Sequence, residues 1–171
     1  MSTEERIRFF HHRWSAPVLV ELERERGTRF VLLVNRLGVS RTVLRATLDS
    51  LIDLGYVRRN PGYGHPLRPE YVLTARGHAV ARRCAQLLES LPDPKLALRK
   101  WTLPVLAAMG VGARFSELQG ALPGVTPRAL AQALRDLQAV GLADRAVLDG
   151  YPPSTLYRPT ARGLVAQRLI K

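Results

Sequence analysis

Cysteine is almost absent from this chain. Cys84 stands alone, which excludes an internal disulfide and any metal site built from cysteines. No apolar run approaches the roughly 20 residues of a membrane span. The opening "MSTEERIRFF" is acidic then basic and lacks the apolar stretch of a signal peptide, so a cytoplasmic protein with no membrane partner is the expectation. His11, His12, His65 and His78 have no acidic or cysteine companion at ligand spacing, and no metal is expected. No paired carboxylates and no Ser-His-Asp arrangement suggest themselves, so neither catalysis nor a cofactor has a foothold. Acid is scarce as well: 14 Asp and Glu face 26 Lys and Arg, a net charge of +12. Arginine supplies nearly all of that excess. A bias toward arginine codons would explain Arg in place of Lys but not the imbalance itself, which points to a polyanion, nucleic acid first.

What the chain does have is a core and a repeat. Its 171 residues, 46% of them apolar, suffice for one ordinary domain or two small ones. The stretch "HRWSAPVL" near the start returns as "RKWTLPVL" past the middle, with Trp14 matching Trp101. Arg29-Phe30 matches Arg114-Phe115, and Gly38-Val39-Ser40 matches Gly124-Val125-Thr126. Leu44, Leu48, Leu51 and Gly55 match Leu130, Leu134, Leu137 and Gly141 at an offset of 86. "YVLTARG" and "YRPTARG" close the series at that same offset of 86. An ordered series whose offset drifts only slightly is the mark of a duplication with small insertions. The chain divides into copies over residues 1–91 and 92–171, jointed at "SLPDPK".

Each copy has the same order of elements. Ser15 and Thr102 are expected helix caps, each with a proline in the first turn. A short helix starts near Phe30 or Phe115. The next begins at Ser40 or Thr126, and its leucines at helical spacing mark a buried stripe. Gly55 and Gly141 end it. "YVRRN" and "EYVLT", like "LADRAV" and "TLYRPT", flank turn-rich segments and read as hairpins. "GYG" in the first of those segments is a turn signal. A last helix follows Thr74 or Thr160. The order is helix, helix, helix, helix, hairpin, helix: an α+β class, mainly α, of two tandem winged helix-turn-helix units, each with a small β-hairpin wing.

The second copy, with "RKWTLPVL", "RFSEL", "LPGVTPRALAQALRDL" and "YRPTARG" in order, closely resembles the HxlR-type winged-helix transcriptional regulators across residues 95–171. The first resembles them more loosely across about residues 3–91, with "VLLVNRLG" where the family has a polar "SELRRALPG". Family members carry one unit and form homodimers through their first and last helices. The resemblance therefore implies an intramolecular pseudo-dimer, with recognition helices about 34 Å apart on one face; a homodimer of whole chains is the other arrangement. The cysteine that some members place before the first Lys-Trp is missing from both copies. Ala131 and Ala133 stand where the family's recognition helix is polar.

With Leu44, Leu48 and Leu51 inward, Arg41, Thr42 and Arg45 face outward near the start of the first recognition helix, where Arg can grip guanine. Thr126, Arg128, Gln132 and Arg135 hold the corresponding face of the second, and Gln can pair with adenine. Ser40 and Thr126 cap these helices beside phosphate. Arg58, Arg59 and Arg68 place the first wing in reach of the DNA backbone, and Arg145 the second. The first unit is expected to be the more electropositive reader. Trp14 and Trp101 precede apolar helices and are expected in the core rather than stacked on bases. Cys84 falls on the last helix of the first copy, half-buried, where a redox role would need an intermolecular disulfide. The expected function is sequence-specific binding of double-stranded DNA by a transcriptional regulator with two nonidentical recognition helices. The rivals are a tandem winged-helix module that binds protein within a chromosome-organising complex, and a sequence-tolerant nucleoid-type DNA binder.

Overall fold

The repeated leucine stripe dictates the two central helices. The computed structural model describes residues 1–60, 70–148 and 154–171. In chain order its elements are α1 (Thr3–His11), α2 (Ser15–Arg24), β1 (Thr28–Arg29), α3 (Phe30–Leu37), α4 (Arg41–Asp53), β2 (Val57–Asn60), β3 (Glu70–Leu73) and α5 (Ala75–Ser90). A 3-10 turn (Pro94–Leu98) follows, then α6 (Thr102–Ala108), β4 (Ala113–Arg114), α7 (Phe115–Ala121), α8 (Pro127–Ala139), β5 (Ala143–Leu148), β6 (Ser154–Pro159) and α9 (Ala161–Ile170). The architecture is two tandem winged helix-turn-helix units.

Helices α4 and α8 start and stop by the same devices. Ser40 Oγ accepts a hydrogen bond from the Val43 amide at 3.3 Å, and Thr126 Oγ1 one from Ala129 at 3.2 Å. Leu44, Leu48 and Leu51 are fully buried, as are Leu130 and Leu137, with Leu134 at 2% exposure. Burying each such side chain contributes about 1.5–3 kcal/mol. At the far end Gly55 and Gly141 take φ of +73° and +69°. The amides of Tyr56 and Leu142 then reach back to the Leu51 and Leu137 carbonyls, both at 2.9 Å, satisfying groups the helix leaves open.

The repeated Thr-Ala-Arg-Gly segment ties this helix end to the next helix. Thr74 Oγ1 donates to the Gly55 carbonyl at 2.7 Å and accepts from the Gly77 amide at 3.0 Å. Thr160 does the same with Gly141 and Gly163, at 2.7 and 3.1 Å. A Cβ on Gly77 would lie 1.9 Å from the Tyr56 carbonyl oxygen, and one on Gly163 at 1.9 Å from that of Leu142. Only glycine allows the two backbones so close.

Both hairpins are antiparallel, and each gains a third strand that the sequence analysis did not anticipate. The orders are β1-β3-β2 and β4-β6-β5. Strands β1 and β4 have two residues each and pair with the hairpin's second strand, Thr28 opposite Tyr71 and Ala113 opposite Tyr157. Two residues are too few to carry an alternation of polar and apolar side chains.

Two compact units emerge, and they are not the sequence copies. One is His12–Gln86; the other joins Met1–His11 to Leu87–Lys171. The packing therefore does not divide at 91/92. Helix α1 packs against α6, with Phe9 and Phe10 at 0% and 2% exposure. The cause lies in α6, whose residues from Thr102 to Ala107 are all buried and need cover beyond that given by α8 and α9. In this unit Gln167, 4% exposed, satisfies its buried amide by donating to the Leu106 and Gly110 carbonyls at 2.8 and 2.9 Å. In the other, Glu21 receives Arg24 and Arg36 at 2.9 and 3.0 Å, pinning α2 to α3.

Ser15 and Thr102 are not caps. They are the first residues inside their helices, both 1% exposed, while Trp14 and Trp101 occupy the cap positions without a side-chain bond. Ser15 Oγ has no partner among the described residues. Both tryptophans are half-buried rather than core, and Lys100 lies 5.1 Å from the ring centre of Trp101.

Candidate nucleic-acid interface

Capping at Ser40 and Thr126 fixes where each central helix begins, and the buried leucines fix which side faces out. Along α4, Arg41, Thr42 and Arg45 are exposed together with Ser40. The Arg45 guanidinium lies over the Phe30 ring, 5.5 Å from its centre, which steadies the side chain against α3. Arg41 and Thr42 make no side-chain bond among the described residues. Val43 at 42% exposure adds an apolar surface to the same turn.

The first wing does not gather Arg58 and Arg59 on one face. Arg58 pairs in register with Val72 and Arg59 with Tyr71, so the two point to opposite faces of the hairpin. Arg59 lies 5.6 Å from the Tyr71 ring centre and 3.5 Å from Asp49 Oδ1, which draws it toward α4. Arg58 is exposed on the other face. Arg68 lies outside the described residues.

Helix α8 presents a fuller face than its sequence suggested. Thr126, Arg128, Gln132 and Arg135 are all exposed. The last three stand at spacings of four and three, which stacks them in one row along the helix. Ala133, expected to leave this face sparse, is 3% exposed and belongs to the core. It occupies the position of Thr47, itself buried with its hydroxyl donating to the Val43 carbonyl at 2.8 Å. Ala131 is half-buried. By the same offset, α4 places Thr42, Ala46 and Asp49 where α8 has Arg128, Gln132 and Arg135. On that row α8 carries two arginines where α4 has Thr42 and Asp49, whereas Arg41 and Arg45 stand exposed on α4 at the positions of Pro127 and Ala131.

The row on α8 is braced from below. Arg135 Nη2 donates to Gln132 Oε1 at 2.7 Å, and Gln132 Nε2 donates to Asp136 Oδ1 at 2.8 Å. Asp136, 12% exposed, in turn pairs closely with Arg99. The hydrogen bond that Arg99 donates to Asp136 holds the guanidinium even more firmly protonated than usual. Sequence reasoning missed both Arg99 and Asp136. The four-residue spacing from Gln132 to Asp136 is a legible helical pair, whereas nothing in the sequence links Arg99 to either.

On the second wing Arg145 is exposed and pairs with Tyr157, as Arg59 does with Tyr71. Its neighbour Asp144 stands where the first wing has Arg58. Cys84 is buried rather than half-buried, and burial pushes its thiol up to about 12. A protonated, covered thiol is a poor nucleophile. Among the described residues no group of three or more potential ligands could hold a metal ion, and no helix is long and apolar enough to cross a membrane.

A family model described as HxlR-like helix-turn-helix matches the chain twice, over residues 9–91 and 96–171. An uncharacterized HTH-type transcriptional regulator of Methanothermobacter thermautotrophicus is 38% identical over 65 residues, which is 37% of this chain and 50% of that protein. The chain thus spans about half the length of the curated relative it matches. Among solved structures, the reduced form of the transcriptional regulator YodB from B. subtilis is 22% identical, with a TM-score of 0.40 over 52% of this chain and 79% of that one. Diamide-treated YodB from the same organism is 23% identical, with a TM-score of 0.37 over 52% and 82%.

Proposed function

The chain belongs to the HxlR-like helix-turn-helix family, and from that premise we propose that it is a DNA-binding transcriptional regulator whose two recognition helices, α4 and α8, read different bases of one operator. The observation that carries this is the pair of identically capped helices with unlike outward faces in a chain of net charge +12. In this reading Arg41, Thr42 and Arg45 line one major groove, and the row of Arg128, Gln132 and Arg135 lines another. Ser40 and Thr126 bring the helix starts, with their open amides, beside phosphate. Arg58, Arg59, Arg68 and Arg145 hold the backbone through the wings. Because one chain supplies both readers, an operator of two unlike half-sites suits it.

The test is a titration of the full chain with duplex DNA across salt concentrations. If five or more phosphates are neutralised, the log–log slope is about −4 or steeper, and sequencing of genomic fragments retained by the protein yields a bipartite consensus. Absence of duplex binding at low salt would sink this reading in favour of a protein-interaction module. Steep salt dependence without a consensus would favour a sequence-tolerant binder.

A further inference from the structure

The bracing beneath α8 assigns roles that exposure alone does not. Gln132 has both ends of its amide engaged: the carbonyl oxygen accepts from Arg135 and the nitrogen donates to Asp136. A bidentate pair with adenine would compete with both bonds. Arg135, by contrast, commits one of its five N–H groups and keeps a fork free. A free arginine side chain loses rotamer entropy when a ligand fixes it. Here the fixing is done before any ligand arrives. Asp136 would otherwise set a negative charge beside a polyanion, and its pairing with Arg99 offsets that charge.

Resting on the DNA-binding reading above, we propose that Arg135 is the base-reading residue of α8, taking a guanine, and that Gln132, Asp136 and Arg99 are positioning residues that hold its guanidinium. This departs from the expectation that Gln132 itself pairs with adenine. The relay is peculiar to the second copy. The first has Ala46, Asp49 and Ser50 at the positions of Gln132, Arg135 and Asp136, and His12 at that of Arg99.

The experiment uses the full chain and duplexes enriched by it from a randomised pool. For each variant it reads base preference at every position and the ratio of affinity for the enriched sequence to that for unrelated duplex. In the unaltered protein one guanine is preferred roughly tenfold over other bases, and replacing it with 7-deazaguanine, which lacks the N7 acceptor, loses most of that preference. Arg135→Ala abolishes the preference at that position. Gln132→Ala, Asp136→Ala and Arg99→Ala each reduce it to a few-fold, while Arg99→Lys, still able to pair with Asp136, restores most of it. A merely structural defect lowers both affinities together and leaves the ratio unmoved. The proposal is overturned if Gln132→Ala erases an adenine preference instead, or if the guanine preference survives Gln132→Ala and Asp136→Ala. Enrichment that yields no consensus at all would end the regulator reading itself, a result distinct from either.

Discussion

The two copies of the winged helix keep their joints and differ on their faces. Both hold the helix cap, the leucine triplet, the left-handed glycine, and the Thr-Ala-Arg-Gly segment that seats the last helix so closely that a Cβ on its glycine would lie 1.9 Å from a carbonyl oxygen. On the outward row, Thr42, Ala46 and Asp49 occupy the positions that Arg128, Gln132 and Arg135 hold in the second copy. Buried pairings differ too. The unit formed by His12–Gln86 pins α2 to α3 through Glu21, whereas the other fills the region around α6 with Gln167 and α1. Residues that set backbone geometry have few substitutes, because a carbonyl contact or a positive φ admits one side chain. Residues facing solvent are free to acquire separate tasks.

That contrast can be broken most severely at the shared glycines. Gly77→Ala and Gly163→Ala force a Cβ against backbone, not against a flexible side chain, and each should destabilise its unit by about 4 kcal/mol or more. Trp14 lies in one unit and Trp101 in the other, so a Trp→Phe change at either leaves a fluorescent reporter for its partner unit in denaturant titrations. A loss below about 1 kcal/mol at either glycine would show that the two joints are not equivalent.

A smaller and one-sided effect is expected at Glu21. Its side chain is 9% exposed and receives two guanidinium groups, themselves 65% and 36% exposed. Glu21→Ala should remove about 1–3 kcal/mol, seen by the Trp14 reporter and not by Trp101. Equal shifts in both would contradict the assignment of this pairing to one unit. The smallest effect concerns acid. The hydrogen bond from Arg36 at 2.7 Å holds the Glu25 carboxyl below its usual range. A depressed folded-state pKa adds stability above the ordinary carboxylate value of about 4.3, and that stability fades as pH falls through the folded value. Glu25→Gln should therefore flatten the acid side of the Trp14 melting profile slightly and leave neutral pH nearly unchanged.

Most of the scaffold was legible because it rests on local signals. Leu44, Leu48 and Leu51 state a helical period, Pro127 and Ser40 mark starts, and Gly55 and Gly141 mark ends. Failures came where the decisive partner is distant in sequence. Ser15 and Thr102 look like caps, yet they are buried inside their helices. Ala133 reads as a gap in a polar face until the helix rotation, set by tertiary packing, places it in the core. The site was legible as a set of exposed side chains on α4 and α8. Which of them are tied to one another was not, since Arg99 reaches Asp136 only through the fold.

Helix α1 and its partner α6 carry a consequence for how the protein is made. On the ribosome α1 emerges before α6, and its docking surface begins at Thr102, about 90 residues later than His11. At ~5–20 residues per second that interval lasts roughly 5–20 s. During it the unit from His12 to Gln86 can close, while Phe9 and Phe10 wait in water. Slowed translation lengthens the wait, and refolding of a finished chain from denaturant abolishes it. Newly made protein therefore faces a time-dependent aggregation hazard at its first helix that purified protein never meets.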